Sequence, residues 1–368
     1  MRYILEDSLA TPPMSRIRRA RAKGRPASRL RFYLPGPKLS LLLALALMVC
    51  LVDTSDEGTE VPGGKVLGVH PGRVLTLAYS PDGRWLASGG YLCPVVLWDM
   101  REGGRQSQLD SSPPGICSLD FSPDGKLLAA AGEDQCVRIW CTQTWKLLHE
   151  IPAHTGMVRS LAFSPDGGSL AAGDTDGTIA VWDCASWKRL RAARTLDGPL
   201  RLVAFSPDGL TLATLSASWN ARLWDRDLHE RSTSALKGPH GEPLWYSSLA
   251  FAPGGTVLSM PSLSHSMSLV DLGGRPISPI SRSAGGLILS LAFTPDGRTM
   301  AAGTRDGFVE IWDMTTREQR SRDHRHAGAV WSLSFSPDGR TLASAGGFTV
   351  SLQQTDPTEP LLHQASRD

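Results

Sequence analysis

Cysteine is scarce in this chain and follows no recognisable pattern. The six residues include no Cys-x-x-Cys pair, so neither a zinc ribbon nor thioredoxin-type chemistry is indicated. They are Cys50, Cys93, Cys117, Cys136, Cys141 and Cys184. A free thiol on a strand behaves as a small apolar group. One disulfide stays open as an alternative if the chain faces an oxidising compartment, although the spacing selects no pair.

Catalytic signatures are also missing. The chain has no Gly-x-Ser-x-Gly elbow, no phosphate-binding Gly-rich loop with Lys and no His-Glu-x-x-His. His324-x-His326 is the one metal-like pair, and no third ligand is evident. We therefore predict a protein that is not an enzyme and that holds no metal and no small-molecule cofactor.

The chain as a whole has little excess of one charge sign, but its basic and acidic residues are unevenly distributed. The net charge is +2, yet residues 1–38 carry ten basic and two acidic residues, net +8, whereas the remainder is net −6. Such asymmetry indicates a tail with a separate role. The basic cluster 16–31 could contact nucleic acid or anionic lipid. Few aromatic residues accompany it, so nucleic-acid binding is the less favoured reading.

Only one long apolar run occurs, at residues 39–52, with Lys38 before it and four acidic residues between 53 and 60. As a helix it spans roughly 21 Å, short of the ~30 Å hydrocarbon core. We favour an uncleaved signal anchor; a cleaved or lipidated signal and a buried or disordered apolar segment remain alternatives. The positive-inside rule keeps the basic flank in the cytoplasm and places the rest of the chain outside. Secreted and cytoplasmic locations stay open.

What the chain does have is a repeat. An aromatic residue followed by a Pro-containing turn occurs seven times, at intervals of 42, 42, 42, 46, 42 and 42 residues. Six turns read Ser/Thr-Pro-Asp-Gly, and the fifth reads Ala252-Pro253-Gly254-Gly255. The aromatic anchors are Tyr79, Phe121, Phe163, Phe205, Phe251, Phe293 and Phe335. A fixed period of this length is typical of repeat architectures.

Each repeat has the pattern of four short strands. In the third, residues 157–163 alternate with period two, the Pro-Asp-Gly turn follows, and residues 169–173 form a second strand. Asp176-Gly177 then turns the chain into 178–182, which ends in Trp182, and 186–191 leave room for a fourth strand. Four antiparallel strands in about 40 residues make one propeller blade.

The strand-end dipeptides carry a family resemblance. Trp-Asp follows its anchor by 19 residues in four units, at Trp98, Trp182, Trp224 and Trp312. Trp140-Cys141 keeps only the Trp, Val270-Asp271 keeps only the Asp, and the seventh unit has Gln353-Gln354. With the Ser-Pro-Asp-Gly turns, the chain resembles the bacterial-type WD-repeat β-propeller family over residues 65 to 355. A six-bladed Tol-associated propeller shares the turns but lacks the recurrent Trp-Asp.

The resemblance implies an all-β fold, namely a seven-bladed β-propeller of four-stranded antiparallel blades preceded by a basic tail and an apolar helix. The predicted domains are a cytoplasmic tail at 1–38, the signal anchor at 39–52, a linker at 53–64 and the propeller at 65–368. Closure abolishes exposed sheet edges. For the closing outer strand we favour Lys65 to Val69 over Pro360 to His363, since closure by an amino-terminal strand resembles the family's habit.

Many family members lock each blade with a buried set of His, Ser/Thr, Asp and Trp, and no unit here has all four. A half-made buried polar network costs stability, so Ala at the Ser/Thr position in three units is physically sensible. The residues that the resemblance assigns to this structural role are Trp98, Trp140, Trp182, Trp224, Trp312, Asp134, Asp176, Asp306, His70, His154 and His326.

The resemblance also implies a protein or peptide partner, bound on the face formed by the loops that lead into strand 1 and those between strands 2 and 3. Arg, Trp and Tyr are enriched in binding hot spots. The candidate partner-binding residues at the family's contact positions are Arg73, Tyr91, Arg159, Arg201, Trp245, Arg305 and Trp331. The predicted function is a non-enzymatic interaction platform on a membrane anchor. A sensory or substrate-binding propeller of a membrane signalling system, or a propeller hydrolase, is the alternative.

Overall fold

The computed structural model describes residues 60–61, 64–109, 112, 115–218, 220–232, 249–255, 257–261, 267–271, 276–280 and 286–355. The chain separates into two units, Met1–Asp53 and Thr54–Asp368, and every described residue belongs to the second. The predicted tail, the apolar segment 39–52, Trp245 and the segment Pro360 to His363 lie outside the described residues. No helix in the described part of the chain has the length and apolar character needed to cross a bilayer.

The described residues contain strands and turns but no helix, and the strands form seven antiparallel sheets. The first sheet contains β3 (Arg73–Tyr79), β4 (Trp85–Tyr91), β5 (Cys93–Asp99) and β6 (Arg105–Gln108). The second contains β7 (Ile116–Phe121), β8 (Leu127–Gly132), β9 (Cys136–Cys141) and β10 (Leu147–Pro152). The third contains β11 (Val158–Phe163), β12 (Ser169–Asp174), β13 (Thr178–Asp183) and β14 (Arg189–Arg194).

The next three sheets repeat this order. The fourth contains β15 (Leu200–Phe205), β16 (Leu212–Ser216), β17 (Ala221–Trp224) and β18 (Glu230–Ser232). The fifth contains β19 (Ala250–Phe251), β20 (Val257–Pro261), β21 (Met267–Asp271) and β22 (Pro276–Ile280). The sixth contains β23 (Ile288–Phe293), β24 (Thr299–Thr304), β25 (Phe308–Asp313) and β26 (Gln319–His324).

The seventh sheet joins both ends of the repeat region. It contains β27 (Val330–Phe335), β28 (Thr341–Gly346) and β29 (Thr349–Gln354), followed by β2 (Gly64–Val69) and the short β1 (Glu60–Val61). Strand β2 pairs with β29, with Val66 opposite Ser351 and Val69 opposite Thr349. The prediction that residues 65 to 69 supply the outer strand is therefore confirmed.

Each aromatic anchor ends the first strand of its sheet, and the Pro-containing turn then leads into the second strand. The glycine that closes the turn has φ between +66° and +71° in all seven, a conformation that favours glycine. In the first turn the Ser80 hydroxyl donates to Asp82 Oδ1 (2.6 Å) and accepts from the Trp85 amide (2.8 Å). The turn thus satisfies its own polar groups and fixes the register of the hairpin.

Small apolar residues and strand-end tryptophans fill the space between sheets. Second strands such as β8, with sequence LLAAAG, are buried along nearly their whole length because a neighbouring sheet covers each face. Trp182 packs against Val137 and Ile139 of the preceding sheet, and Trp98 packs against Val350 of the seventh. The core is therefore a series of layers between sheets rather than one central cluster.

First strands contact each other in succession, from β3 through β7, β11, β15, β19, β23 and β27, and β27 in turn contacts β3. Side chains on one first strand accept hydrogen bonds from the backbone of the next. The Leu161 amide donates to Ser118 Oγ (3.1 Å), and the Leu77 amide donates to Ser332 Oγ (3.0 Å) between the first and seventh sheets. These bonds hold the first strands in a common register.

Candidate partner-binding face

The first strands of six sheets enclose a cavity of about 240 Å³, which we call the central cavity. In these six sheets the residue four positions before the aromatic anchor lines the cavity, and alternate residues of a strand share one face. At these positions the lining residues are Leu75, Cys117, Arg159, Arg201, Leu289 and Trp331. The structure thus brings together Arg159, Arg201 and Trp331, three of the predicted partner-binding residues.

Arg159 lies beside sulfur atoms on the wall of the central cavity. Its Nη1 is 3.6 Å from Met157 Sδ and 4.0 Å from Cys117 Sγ. Burial raises the pKa of the Cys117 thiol, and the Arg159 guanidinium opposes that shift. Cys117 is therefore a neutral thiol at physiological pH rather than a nucleophile.

Charge in the central cavity is of one sign. Arg159 and Arg201 come from neighbouring strands and are both half-buried, and no acidic residue of the described chain lines the cavity. Trp331, Leu75 and Leu289 supply the apolar part of the wall. This combination can bind an apolar segment that carries an acidic group.

Three of the other predicted contact residues lie at the edge of the same face. Arg73 and Tyr91 are opposite each other in the pairing of β3 with β4, and Tyr91 is 50% exposed. Arg305 is exposed after β24, and its amide donates to the Leu287 carbonyl (2.8 Å). Trp245 lies outside the described residues, so its predicted role remains a prediction.

An exposed apolar group at this edge was missed by sequence reasoning. Leu92 is 67% exposed, Phe348 56% and Val69 51%. The His70 amide donates to the Phe348 carbonyl (2.7 Å), which brings the β28–β29 turn next to the end of β2. The available signal was a large apolar residue in a polar turn, as in Gly347-Phe348.

The five predicted structural tryptophans, Trp98, Trp140, Trp182, Trp224 and Trp312, are all buried. Where the second strand has a hydroxyl, the indole donates to it: Trp98 Nε1 to Ser88 Oγ (2.8 Å) and Trp224 Nε1 to Thr214 Oγ1 (2.9 Å). In the sixth sheet Ala302 takes the place of the hydroxyl residue, and Trp312 Nε1 has no partner in the described residues. Packing therefore holds this side chain in place without the polar bond.

The acid that pairs with a buried histidine is not the predicted one. His154 Nδ1 is 2.9 Å from Asp174 Oδ2, and both side chains are fully buried. Asp176, two residues later, is exposed and accepts from Thr155 Oγ1 (2.8 Å). The physical reason is that β12 extends to Asp174, so Asp174 lies inside the layer and Asp176 in the turn.

Asp134 and Asp306, at the equivalent turn positions, are also exposed. Asp134 accepts from the Cys136 amide (3.3 Å) and pairs with Arg138. These two acids thus lie in turns and do not form the buried half of a His–Asp pair.

The two remaining structural histidines are buried. Burial lowers the pKa of both His70 and His326 to about 4, so they are neutral at physiological pH. His326 Nε2 lies 2.8 Å from Ser344 Oγ and its Nδ1 lies 2.9 Å from Thr349 Oγ1. Because both its nitrogens are occupied, His326 cannot ligate a metal alongside His324 in this conformation.

The described residues contain neither a metal-binding cluster nor a disulfide. No cluster of three His, Cys, Asp or Glu side chains that could hold an ion occurs among them. Cys93, Cys117, Cys136, Cys141 and Cys184 are all free thiols. Cys50 lies outside the described residues.

Comparison with known families agrees with this geometry. The family model for the WD domain, G-beta repeat (WD40), matches residues 64–99, 105–141, 145–183, 274–313 and 318–352, which together make up just over half of the chain. The chain belongs to the WD40 repeat family. No curated protein matches it. The five WD40 matches cover strands of the first, second, third, sixth and seventh sheets; the fourth and fifth sheets lie mainly between the third and fourth matches.

Proposed function

We propose that the WD40 repeats form a closed seven-bladed propeller that acts as a non-enzymatic protein-interaction platform. The contacts between consecutive first strands support closure. So does the stacking of the turns, in which each closing glycine lies beside the proline of the preceding turn. The position of a Cβ added to Gly125 would lie 3.6 Å from Pro81, and one added to Gly83 would lie 3.5 Å from Pro337. The latter contact joins the first repeat to the seventh.

The observation that carries the binding proposal is the grouping of Arg159, Arg201 and Trp331 around one cavity. Truncation of a central Arg or Trp anchor typically costs about 2 kcal/mol or more in binding. The one-signed charge of the cavity favours a partner segment with an acidic side chain, and the apolar wall favours a neighbouring apolar residue. An extended peptide or a loop of a protein partner has this chemistry.

The proposal includes a membrane location. Its support is the sequence alone: the basic residues 1–38, the apolar run 39–52 and the acidic residues after it. In this arrangement the apolar segment anchors the protein and the propeller is displayed outside the cytoplasm. A sensory or substrate-binding propeller of a membrane signalling system shares this topology, and a propeller hydrolase is the less favoured alternative.

The binding proposal is tested by replacing the cavity residues. The triple variant Arg159→Ala, Arg201→Ala, Trp331→Ala should lose partner capture, with affinity reduced about thirtyfold or more per 2 kcal/mol removed. Pull-down from the source cell measures this, and a photo-crosslinking residue at Leu75 should label the same captured protein.

The matched control is Lys188→Ala, Arg189→Ala, Leu190→Ala, three exposed residues at and beside the start of outer strand β14. It changes charge and apolar area similarly but lies away from the central cavity, so capture should persist. If the control abolishes capture and the cavity variant does not, the partner binds the sides of the sheets. A fall in melting temperature for the cavity variant alone would show that its residues support the fold.

A further inference from the structure

A second cavity lies at the other end of the first strands, between the first and seventh sheets. Its volume is about 360 Å³, within the range of small-molecule sites. Residues of β2 and of the Pro-containing turns of the two sheets line it, and we call it the junction groove. Because strand β3 runs from the partner-binding face to this turn, the junction groove is separate from the central cavity.

Tyr79 gives the junction groove a feature that the other repeats lack. The other six anchors are phenylalanine, whereas Tyr79, which lines this cavity, carries a hydroxyl. That hydroxyl is buried and has no hydrogen-bond partner in the described residues. A buried hydroxyl is normally paired, so an unpaired one beside a cavity indicates a place for a ligand atom.

Most of the lining of the junction groove is apolar. Leu67, Met100 and Leu352 contribute side chains from β2, from the turn after β5 and from β29. An apolar cavity of roughly 150 Å³ is enough to bind benzene. The junction groove therefore has room for a larger apolar body.

Two cations border the apolar surface. Lys65 and Arg101 line the groove, are exposed, and form no ion pair among the described residues. Arg101 occupies a position two residues after the third-strand Trp-Asp, where the other four Trp-bearing repeats have Gln143, Ala185, Asp227 and Thr315. The positive charge of Arg101 is thus specific to this junction among the Trp-bearing repeats.

The two acids at the groove are held by their turns. Asp82 and Asp338 line it, but Asp82 Oδ1 accepts from Ser80 Oγ (2.6 Å) and Asp338 Oδ1 accepts from Ser336 Oγ (2.5 Å). The second, third, fourth and sixth turns hold their aspartates in the same way. These acids belong to the repeat, whereas Tyr79 and Arg101 distinguish this junction.

We propose that the junction groove binds a small amphipathic anion that has an apolar chain, one carboxylate and a hydrogen-bonding oxygen at the far end. The carboxylate lies at the exposed mouth near Lys65 and Arg101. The chain covers the apolar wall, and the terminal oxygen pairs with the Tyr79 hydroxyl.

The test uses 8-hydroxyoctanoate, octanoate and octanamide as probes on the full chain, with affinity measured by calorimetry. 8-Hydroxyoctanoate should bind more tightly than octanoate by about threefold to tenfold, the gain of one hydrogen bond. Tyr79→Phe should remove that difference while leaving octanoate binding unchanged. Phe is the residue at the other six anchors, so this variant should keep the fold.

Charge and occupancy are tested separately. Lys65→Gln and Arg101→Gln should each weaken octanoate by about twofold to fivefold and reduce its salt dependence; octanamide should be unaffected. Met100→Trp should fill the groove and abolish binding of all three probes. The matched control Lys188→Gln, on an exposed surface of the third sheet, should change nothing.

Three results would overturn the proposal: no binding of any probe to the wild-type chain, equal binding to Met100→Trp, or an unchanged advantage of 8-hydroxyoctanoate in Tyr79→Phe. Binding that appears only after residues 356–368 are removed would also overturn it, because the occupant would then be the chain's own end. None of these outcomes depends on the protein partner of the central cavity.

Discussion

At the residue scale, the same position carries different chemistry from one repeat to the next without loss of the sheet. Trp98 and Trp224 donate to a hydroxyl, whereas the repeat of Trp312 has Ala302 at the position of the hydroxyl residue. A hydrogen bond contributes about 1 kcal/mol net, whereas burying an aromatic side chain contributes more. Packing of the indole is therefore sufficient to hold the sheet, and a repeat can lose the hydroxyl that accepts from the indole.

At Asp120 one repeat carries an acidic residue at a buried position where the seventh sheet has Ser334. The Asp120 carboxylate takes the place that Ser334 has in the seventh sheet, and it accepts from the Phe163 amide (2.8 Å) of the next sheet. Burial raises the pKa of Asp120 to about 7, against the opposing effect of the Phe163 and Phe121 amides. The carboxyl group therefore changes its charge around neutral pH.

We predict that Asp120→Asn stabilises the protein at alkaline pH. The folded-state pKa is above the ordinary value of 3.8, so the folded state binds the proton more tightly and its stability falls as pH rises from about 4 to about 7. Asn keeps the acceptor without the charge. The difference in unfolding free energy should be near zero at pH 4 and reach about 1–3 kcal/mol at pH 8, measured by urea denaturation.

The control for this prediction is Asp124→Asn in the adjacent turn. Ser122 and the Lys126 amide lower the pKa of Asp124, so its charge stabilises the folded state above the ordinary pKa. The Asn variant should lose stability at neutral pH and match the wild type in acid. If the unfolding free energies of both variants changed with pH in the same way, the assignment of opposite pKa shifts to Asp120 and Asp124 would be contradicted.

At the element scale, the closing strand is the one element that no single repeat supplies. Strand β2 lies about 280 residues before its partner β29, and pairs with it from Gly64↔Gln353 to Val69↔Thr349. Without it, β29 would present an open edge, which is prone to pairing with other chains. The ends of the repeat region thus depend on each other for stability.

We predict that Val66→Cys with Ser351→Cys forms a disulfide and raises the melting temperature. The two residues are opposite each other in the ladder, where Cα atoms lie close enough for a bridge. Ser351 Oγ has no hydrogen-bond partner in the described residues, so its replacement loses little. The cross-link closes a loop that contains nearly the whole repeat region. It should raise the free energy of unfolding by up to about 4 kcal/mol.

Calorimetry of the oxidised and reduced forms measures this gain, and peptide mapping identifies the bond. Each single-cysteine variant serves as a control for the loss of the native side chain. If the double variant remains reduced under mild oxidation, β2 does not hold this register in solution.

At the scale of the whole molecule, the charge asymmetry predicts a membrane topology. Fusions after Asp368 should give active alkaline phosphatase and no fluorescence from a cytoplasm-dependent reporter, because the basic flank stays inside. Replacing the arginines between 16 and 31 with Gln should reduce or invert this result, whereas the same number of changes on the outer strands should not. A fluorescent, fully soluble full-length protein would contradict the anchor.

The repeat sequence by itself determined the sheets and their turns. An aromatic anchor, a proline-preset turn and a glycine at positive φ act within a few residues of each other, so each can be recognised in any repeat separately. Seven such sets therefore predicted the ends of seven first strands, from Tyr79 to Phe335. The contact positions four residues before them came from the family resemblance. The closing role of Lys65 to Val69 did not follow from the repeat alone, because Pro360 to His363 offered a second candidate and only the family resemblance favoured the amino-terminal strand.

Only the tertiary structure decided which polar groups meet. Asp174 rather than Asp176 reaches His154 because the end of β12 lies inside a layer between sheets, a depth that sequence spacing does not report. Gln353 of β29 lies opposite Leu342 just as Trp182 of β13 lies opposite Leu170. The third strand of the seventh sheet therefore keeps the pairing of the other sheets although it lacks the Trp. The raised pKa of Asp120 and the groove beside Tyr79 depend on how adjacent sheets approach each other. Contacts within one repeat follow from local sequence, whereas burial and electrostatics at a junction require both neighbours to be in place.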